Sequence, residues 1–127
     1  MPDEGKLIIL YNLGLGTAAK RNVGSATGTN QIPDMSSFGS GTQWFRLPTG
    51  NIVQAWQATI NGADANGTTI NFPVPFPNAL YAANTIWVDG STIAPIAYKI
   101  IGHTKTTVTI KASGAGTYGT LIMAIGI

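Results

Sequence analysis

The chain has 127 residues, 44% of them hydrophobic and 9% charged, with a formal net charge of +2. That length suits one ordinary domain rather than a multidomain enzyme or a transporter, and the composition lies outside the disordered class, which combines low hydrophobicity with high net charge. Cysteine is absent and His103 is the only histidine, so disulfide scaffolds, thiol nucleophiles, iron–sulfur clusters and cysteine-based zinc sites are excluded and no cofactor is expected.

The seven cations, Lys6, Lys20, Arg21, Arg46, Lys99, Lys105 and Lys111, are scattered and form no basic stripe, so no nucleic acid partner is expected. The apolar run Leu121–Ile125 is far short of the about 20 residues that a membrane span requires, and the N-terminus lacks a basic region followed by an apolar core. Neither membrane insertion nor targeting is expected. Sixteen glycines, seven prolines and a single glutamate, Glu4, make a chain poor in helix formers, which points to an all-β fold.

From Asn12 to Gly41 the sequence keeps neither period 2 nor period 3.6, and Gly recurs every few positions. Residues 1–42 are therefore expected to be an extended shaft or connector, and 43–127 a β-rich domain. A structureless stretch of this length inside a compact domain is unusual unless it is fibrous and packs against copies of itself. The isolated apolar residues Leu13, Leu15, Val23, Ile32, Met35 and Phe38 then face a shared axis; a flexible linker is the alternative. Gly14-Leu15-Gly16-Thr17-Ala18-Ala19 matches a dinucleotide fingerprint, and Asp34 falls where a ribose-binding acid would stand. The residues between Ala19 and Asp34 read as neither an amphipathic helix nor a strand, and the fingerprint requires both.

From Gln43 onward, short β-prone runs separated by turn signals predict an antiparallel sandwich or barrel. The strands are expected at Asn51–Ile60, Thr68–Phe72, Thr85–Asp89, Ile96–Ile101, Thr106–Lys111 and Thr117–Ile125. Thr107, Thr109 and Lys111 alternate with Val108 and Ile110, giving one wet and one buried face. Leu121-Ile122-Met123-Ala124-Ile125 is apolar on both faces, as in a strand covered on both sides. A region of 85 residues, 43–127, holds little material for a second cover, so a partner subunit is expected and a homo-oligomer is the economical reading.

Catalytic candidates are few. His103 fits no nucleophile elbow, and Asp64 and Asp89 sit in Gly-rich turns, where aspartate bonds its own backbone. His103 reads as a solvated turn residue. Asn66-Gly67-Thr68 is both a glycosylation sequon and a turn signal, and the turn is preferred. Trp44, Phe45, Trp56, Phe72, Phe76, Tyr81, Trp87, Tyr98 and Tyr118 read first as β core residues and second as sugar-stacking faces.

The segments Leu13-Gly14-Leu15-Gly16-Thr17-Ala18-Ala19-Lys20-Arg21-Asn22-Val23-Gly24 and Asn30-Gln31-Ile32-Pro33-Asp34-Met35 resemble the repeated shaft segments of contractile-tail bacteriophage side tail fibres. Trp44-Phe45-Arg46-Leu47-Pro48-Thr49-Gly50, Gln54-Ala55-Trp56, Phe72-Pro73-Val74-Pro75-Phe76-Pro77-Asn78-Ala79 and Ala124-Ile125-Gly126 resemble the C-terminal receptor-binding domain of such fibres. The resemblance implies a fragment of a longer fibre, at its distal end on the virion, intertwined as a homotrimer. It further implies non-catalytic binding to bacterial surface glycan, commonly lipopolysaccharide, and often an assembly chaperone. A structural trimerisation tip without receptor binding and a glycan-cleaving depolymerase are the alternatives.

If the six strands are all antiparallel, their connections alternate between two ends. Residues 61–67, 90–94 and 113–116 then share the end away from the connector. Asp64, Asn66, Asp89 and Ser91 are the candidate hydrogen-bonding residues for sugar hydroxyls there, with Trp87 and Tyr118 as stacking faces.

Overall fold

The computed structural model describes residues 16–24, 31–88 and 96–127. Two compact units divide the chain, Met1–Phe38 and Gly39–Ile127. Ten strands lie among the described residues, with helix confined to two short 3-10 turns.

In the first unit, β1 (Asn22–Gly24) and β2 (Gln31–Pro33) pair in parallel, Val23 opposite Ile32. A 3-10 turn, Thr17–Lys20, precedes β1 and another, Met35–Ser37, follows β2. Asp34 caps the second turn, its Oδ1 accepting from the Ser36 N–H at 2.9 Å. The Asp34 N–H in turn donates to the Gly24 carbonyl. A strand therefore does precede Asp34, contrary to the sequence reading. It is three residues long, too short for periodicity to show, and Asp34 serves as a cap. Thr17–Lys20 is a single 3-10 turn rather than a helix. Val23, Ile32, Met35 and Phe38 are all exposed on the single chain.

The second unit is an antiparallel sandwich of two sheets. One has the order β3-β4-β5-β10-β7, formed by β3 (Ser40–Gly41), β4 (Trp44–Arg46), β5 (Ile52–Asn61), β7 (Leu80–Trp87) and β10 (Thr117–Gly126). The other has the order β6-β9-β8, formed by β6 (Thr68–Asn71), β8 (Tyr98–His103) and β9 (Thr107–Ala112). All pairs within both sheets are antiparallel.

The core forms where the two inner faces meet. Ile52, Trp56, Ile60, Ile122 and Ala124 from the larger sheet meet Val108, Ile110 and Ala112 from the smaller. Phe72 and Phe76, on the connection after β6, complete it with edge-on contacts. Trp56 and Phe72 have centroids 5.7 Å apart, and Phe72 and Phe76 5.1 Å. Each fully buried aliphatic or aromatic side chain contributes about 1.5–3 kcal/mol, so this single layer of side chains accounts for much of the unit's stability.

The larger sheet departs from the sequence reading at two places. β7 begins at Leu80, ahead of the expected Thr85, because the weak β-formers Ala82, Ala83 and Asn84 are held by pairing with Ile125, Ala124 and Met123 of β10. β3 and β4 are too short to show alternation, yet Phe45 pairs with Val53 and extends the sheet. The turn expected at Asn66-Gly67 is present, with Gly67 at φ +79, a left-handed conformation that favours glycine. It joins strands of different sheets and closes no hairpin.

One end of the sheet is anchored by the chain itself, where Ile127 meets the start of β7. The Ile127 carbonyl accepts from the Asn78 and Ala79 N–H groups, each at 2.7 Å, and the Ile127 N–H returns to Ala79. A side chain at Gly126 would collide with the Ala79 carbonyl oxygen and lie 2.7 Å from Phe76 Cδ1. Gly126→Ala is therefore expected to cost about 1–2 kcal/mol through this overpacking, measured as a lower urea midpoint at unchanged slope.

Candidate functional site

Residues 62–67 and 113–116 lie side by side at one end of the sandwich. The Gly62 N–H donates to the Gly116 carbonyl at 2.8 Å, and Asn61 pairs with Thr117. The Val88 N–H donates to the Gly119 carbonyl, bringing the end of β7 to the same place. The chain enters this unit at the opposite end, where Gly39 accepts from the Arg46 N–H and Arg46 pairs with Ile52. The Pro73–Ala79 connection and the β8–β9 turn also lie there, joined by Phe76 N–H donating to Lys105 O and Lys105 Nζ donating to Pro77 O.

Asp64 is exposed at the crest of its connection. Its Oδ1 accepts from the Asn66 N–H at 2.9 Å, its own N–H donates to the Asn61 carbonyl, and its carbonyl accepts from Gly67. The residue thus shapes the turn and remains exposed. Asn61 adds a similar closure, Oδ1 accepting from the Ala63 N–H at 3.1 Å. The Asn66 side chain is exposed beside them.

Tyr118 pairs with Ile60 on the inner face and packs against the core edge. Its hydroxyl accepts from the Gly116 N–H at 3.0 Å, so the ring is tucked under the 113–116 turn and braces it. Asp89 and Ser91 lie outside the described residues.

Trp87 stands opposite Thr120, whose buried hydroxyl donates to the Ile86 carbonyl at 2.9 Å. That register turns Trp87 inward, and β7 is the last strand of its sheet. On the other layer β8 is also a last strand, so the sandwich is open along this flank. A cleft of about 340 Å³ occupies the opening, lined by Ala83, Asn84, Thr85, Trp87, Ile96, Tyr98 and Ile100. The Trp87 indole Nε1 is buried without a hydrogen-bond partner, whereas the Tyr98 hydroxyl donates to Gly119 O at 3.1 Å.

Two aromatic rings and a hydroxyl in one groove are groups that hold a sugar by stacking and hydrogen bonding; Asn84 pairs with Met123 and borders the cleft from the outer face. Tyr98 reads from the sequence as a core residue first and a stacking face second; Asn84 and Thr85 were not expected in a site, and their place beside it follows from the pairing of β7 with β10. Among the described residues no three His, Asp or Glu side chains gather to hold a metal ion, and no helix is long and apolar enough to cross a membrane.

The outer face of the larger sheet forms a different kind of surface. Ile86, Leu121, Met123, Ile125 and Phe45 are exposed there, with Val53 and Ala55 between them. A groove of about 300 Å³ runs among Ala55, Gln57, Asn84, Ile86, Leu121 and Met123.

Comparison with known proteins gives a consistent reading of this architecture. The fold is similar to that of the R2 pyocin fibre of P. aeruginosa at a TM-score of 0.60 and 23% identity, over 93% of this chain and 28% of that one. An N-truncated R2-type pyocin tail fibre matches with a TM-score of 0.56 and 25% identity over 71% of this chain and 36% of that one. An N-truncated R1-type pyocin tail fibre matches with a TM-score of 0.54 and 21% identity, covering 100% of this chain and 98% of that one. The chain thus spans little more than a quarter of the first of these solved chains, which itself comprises C-terminal residues of the fibre. No curated protein matches the sequence. The family model described as tail fiber protein gp53-like, C-terminal, matches residues 46–127, and the chain belongs to that family of phage tail fibre C-terminal domains.

Proposed function

We propose that this domain forms the distal, receptor-binding tip of a tail fibre and attaches the virion to bacterial surface glycan, lipopolysaccharide in particular, without cleaving it. The observation that carries the reading is the clustering of exposed polar turns and the Trp87–Tyr98 cleft away from the end where the chain enters. On this reading residues 1–42 belong to the shaft and 43–127 to the tip.

The tip acts as a homotrimer. Two observations support this: the uncharged apolar outer face of the larger sheet, and the exposed Val23, Ile32, Met35 and Phe38 of the first unit. Contiguous apolar surface of this kind marks an interface, and a face with no charged group best fits another copy of itself. Before assembly such a face is prone to aggregate, which is the physical reason for a dedicated assembly chaperone. Three linked copies convert weak single-site contacts into durable attachment, since multivalency raises avidity by about 10²–10⁴.

Alanine at Asp64, Asn66, Asp89 or Ser91 is expected to weaken adsorption of the purified chain to host cells by about tenfold or more without unfolding the trimer, its sedimentation mass being retained. Changes at His103 or Lys105, at the opposite end, are expected to leave adsorption intact. Normal adsorption by the first set and loss by the second would place the receptor site at the wrong end of the sandwich.

A further inference from the structure

The outer face of the smaller sheet is polar and cationic. Thr69 and Thr109 share a hydroxyl contact across β6 and β9 at 3.0 Å. Register places Lys99 of β8 directly opposite Lys111 of β9, both exposed. Like charges directly opposite in a sheet are destabilising, and a nearby carboxylate ordinarily offsets them. Here residues 65–88 and 96–127 contain no Asp or Glu at all. Asp64, the only carboxylate among the described residues of this unit, commits Oδ1 to the Asn66 N–H.

Lys111 Nζ donates to the Ala65 carbonyl at 2.7 Å, reaching toward the β6 side of β9 while Lys99 stands on the other side. A β-bulge between Ile100 and Gly102 follows Lys99 directly, and bulges re-aim the side chains around them. The lysine pair therefore adjoins the Asn61–Gly67 connection, at the same end as the exposed turns.

We propose that Lys99 and Lys111 together bind a phosphate group carried by the surface glycan, with the Thr69 and Thr109 hydroxyls beside it for the neighbouring sugar. The inference rests on the glycan-attachment reading and adds the charge class of the receptor. Two lysines opposite each other in register put two positive charges on one patch, which a dianion matches best. A phosphomonoester carries about −1.5 to −2 charges at neutral pH, whereas a carboxylate or sulfate ester carries one. Lysine serves such groups as a point charge.

Titration of the 127-residue chain with glucose 6-phosphate, glucose 6-sulfate and glucose at constant ionic strength, followed through the lysine ε-CH₂ NMR signals, tests the proposal. Saturable shifts at Lys99 and Lys111 are expected with the phosphate, about tenfold weaker affinity for the sulfate, and no shift with glucose. Lys99→Gln is expected to weaken phosphate binding about tenfold without lowering the thermal midpoint. Equal affinity for phosphate and sulfate, or unchanged phosphate binding in the Lys99→Gln, Lys111→Gln double variant, overturns it. Adsorption to cells separates the two levels of the argument. If the double variant adsorbs like the parent chain, the phosphate site is wrong and attachment stands. If the parent chain does not adsorb at all, attachment itself is wrong.

Discussion

Replacing Gln54 with leucine is expected to lower the unfolding free energy by about 3–4 kcal/mol, although leucine is the more hydrophobic residue. Gln54 is 0% exposed on the inner face of β5. Its Nε2 donates to the Val74 carbonyl at 2.6 Å, and its Oε1 accepts from the Val74 N–H at 2.8 Å. Val74 lies between Pro73 and Pro75, which have no N–H, so its amide is the only backbone donor in that triplet. The glutamine side chain therefore does for this connection what a neighbouring strand would do.

Leucine fills the space but leaves the Val74 N–H and C=O without partners, each at about 1–3 kcal/mol when buried. The same loss frees the segment that carries Phe72 and Phe76 into the core. Urea titration at fixed protein concentration checks this. A midpoint within experimental error of the parent chain would show that water satisfies Val74 and that the amide pair contributes little. Gln54→Glu keeps the acceptor and loses the donor, so it is expected to fall below the parent as well.

Such a latch could not be seen in the sequence, where Gln54 interrupts the apolar alternation of Ile52, Trp56 and Ile60 and looks like a misplaced polar residue. Other features were legible for definite reasons. The Thr107–Lys111 alternation predicted a half-buried strand, and β9 has that pattern with Val108 and Ile110 buried. The Leu121–Ile125 run, apolar on both faces, predicted a strand covered on both sides; β10 is that strand, with Ile122 and Ala124 buried in the core and Leu121, Met123 and Ile125 exposed on the single chain. What stayed hidden depends on partners distant in sequence. Ala82-Ala83-Asn84 has no local preference for strand and becomes one through β10. Trp87 was expected beside a tip loop as a stacking face, and its direction, into the cleft between the sheets, is set by its pairing with Thr120, which no local pattern encodes. Tyr118 is tied by its hydroxyl to Gly116, a contact set by the bend of the 113–116 turn.

Met123→Asp is expected to convert a species of about three chain masses into single chains while leaving the sandwich folded. Met123 is 58% exposed on the outer face, with Leu121 at 49% and Ile86 at 61% around it. The opposite side of the same strand is closed by Ile122, at 1% exposure, so the substitution adds charge without opening the core. Placed in an interface between copies, each aspartate loses its hydration at an effective cost of several kcal/mol per ion, and a symmetric trimer incurs that cost three times. On a single chain the same carboxylate stands in water and costs little. Sedimentation therefore separates the two cases, and circular dichroism confirms that the strands persist. Asn71→Asp, an equal change of charge on the exposed outer face of the smaller sheet, is expected to leave the mass at three chains. A Met123→Asp chain that sediments like its parent would show that the apolar face of β5, β10 and β7 is not where copies meet, and the assembly would then rest on the first unit alone.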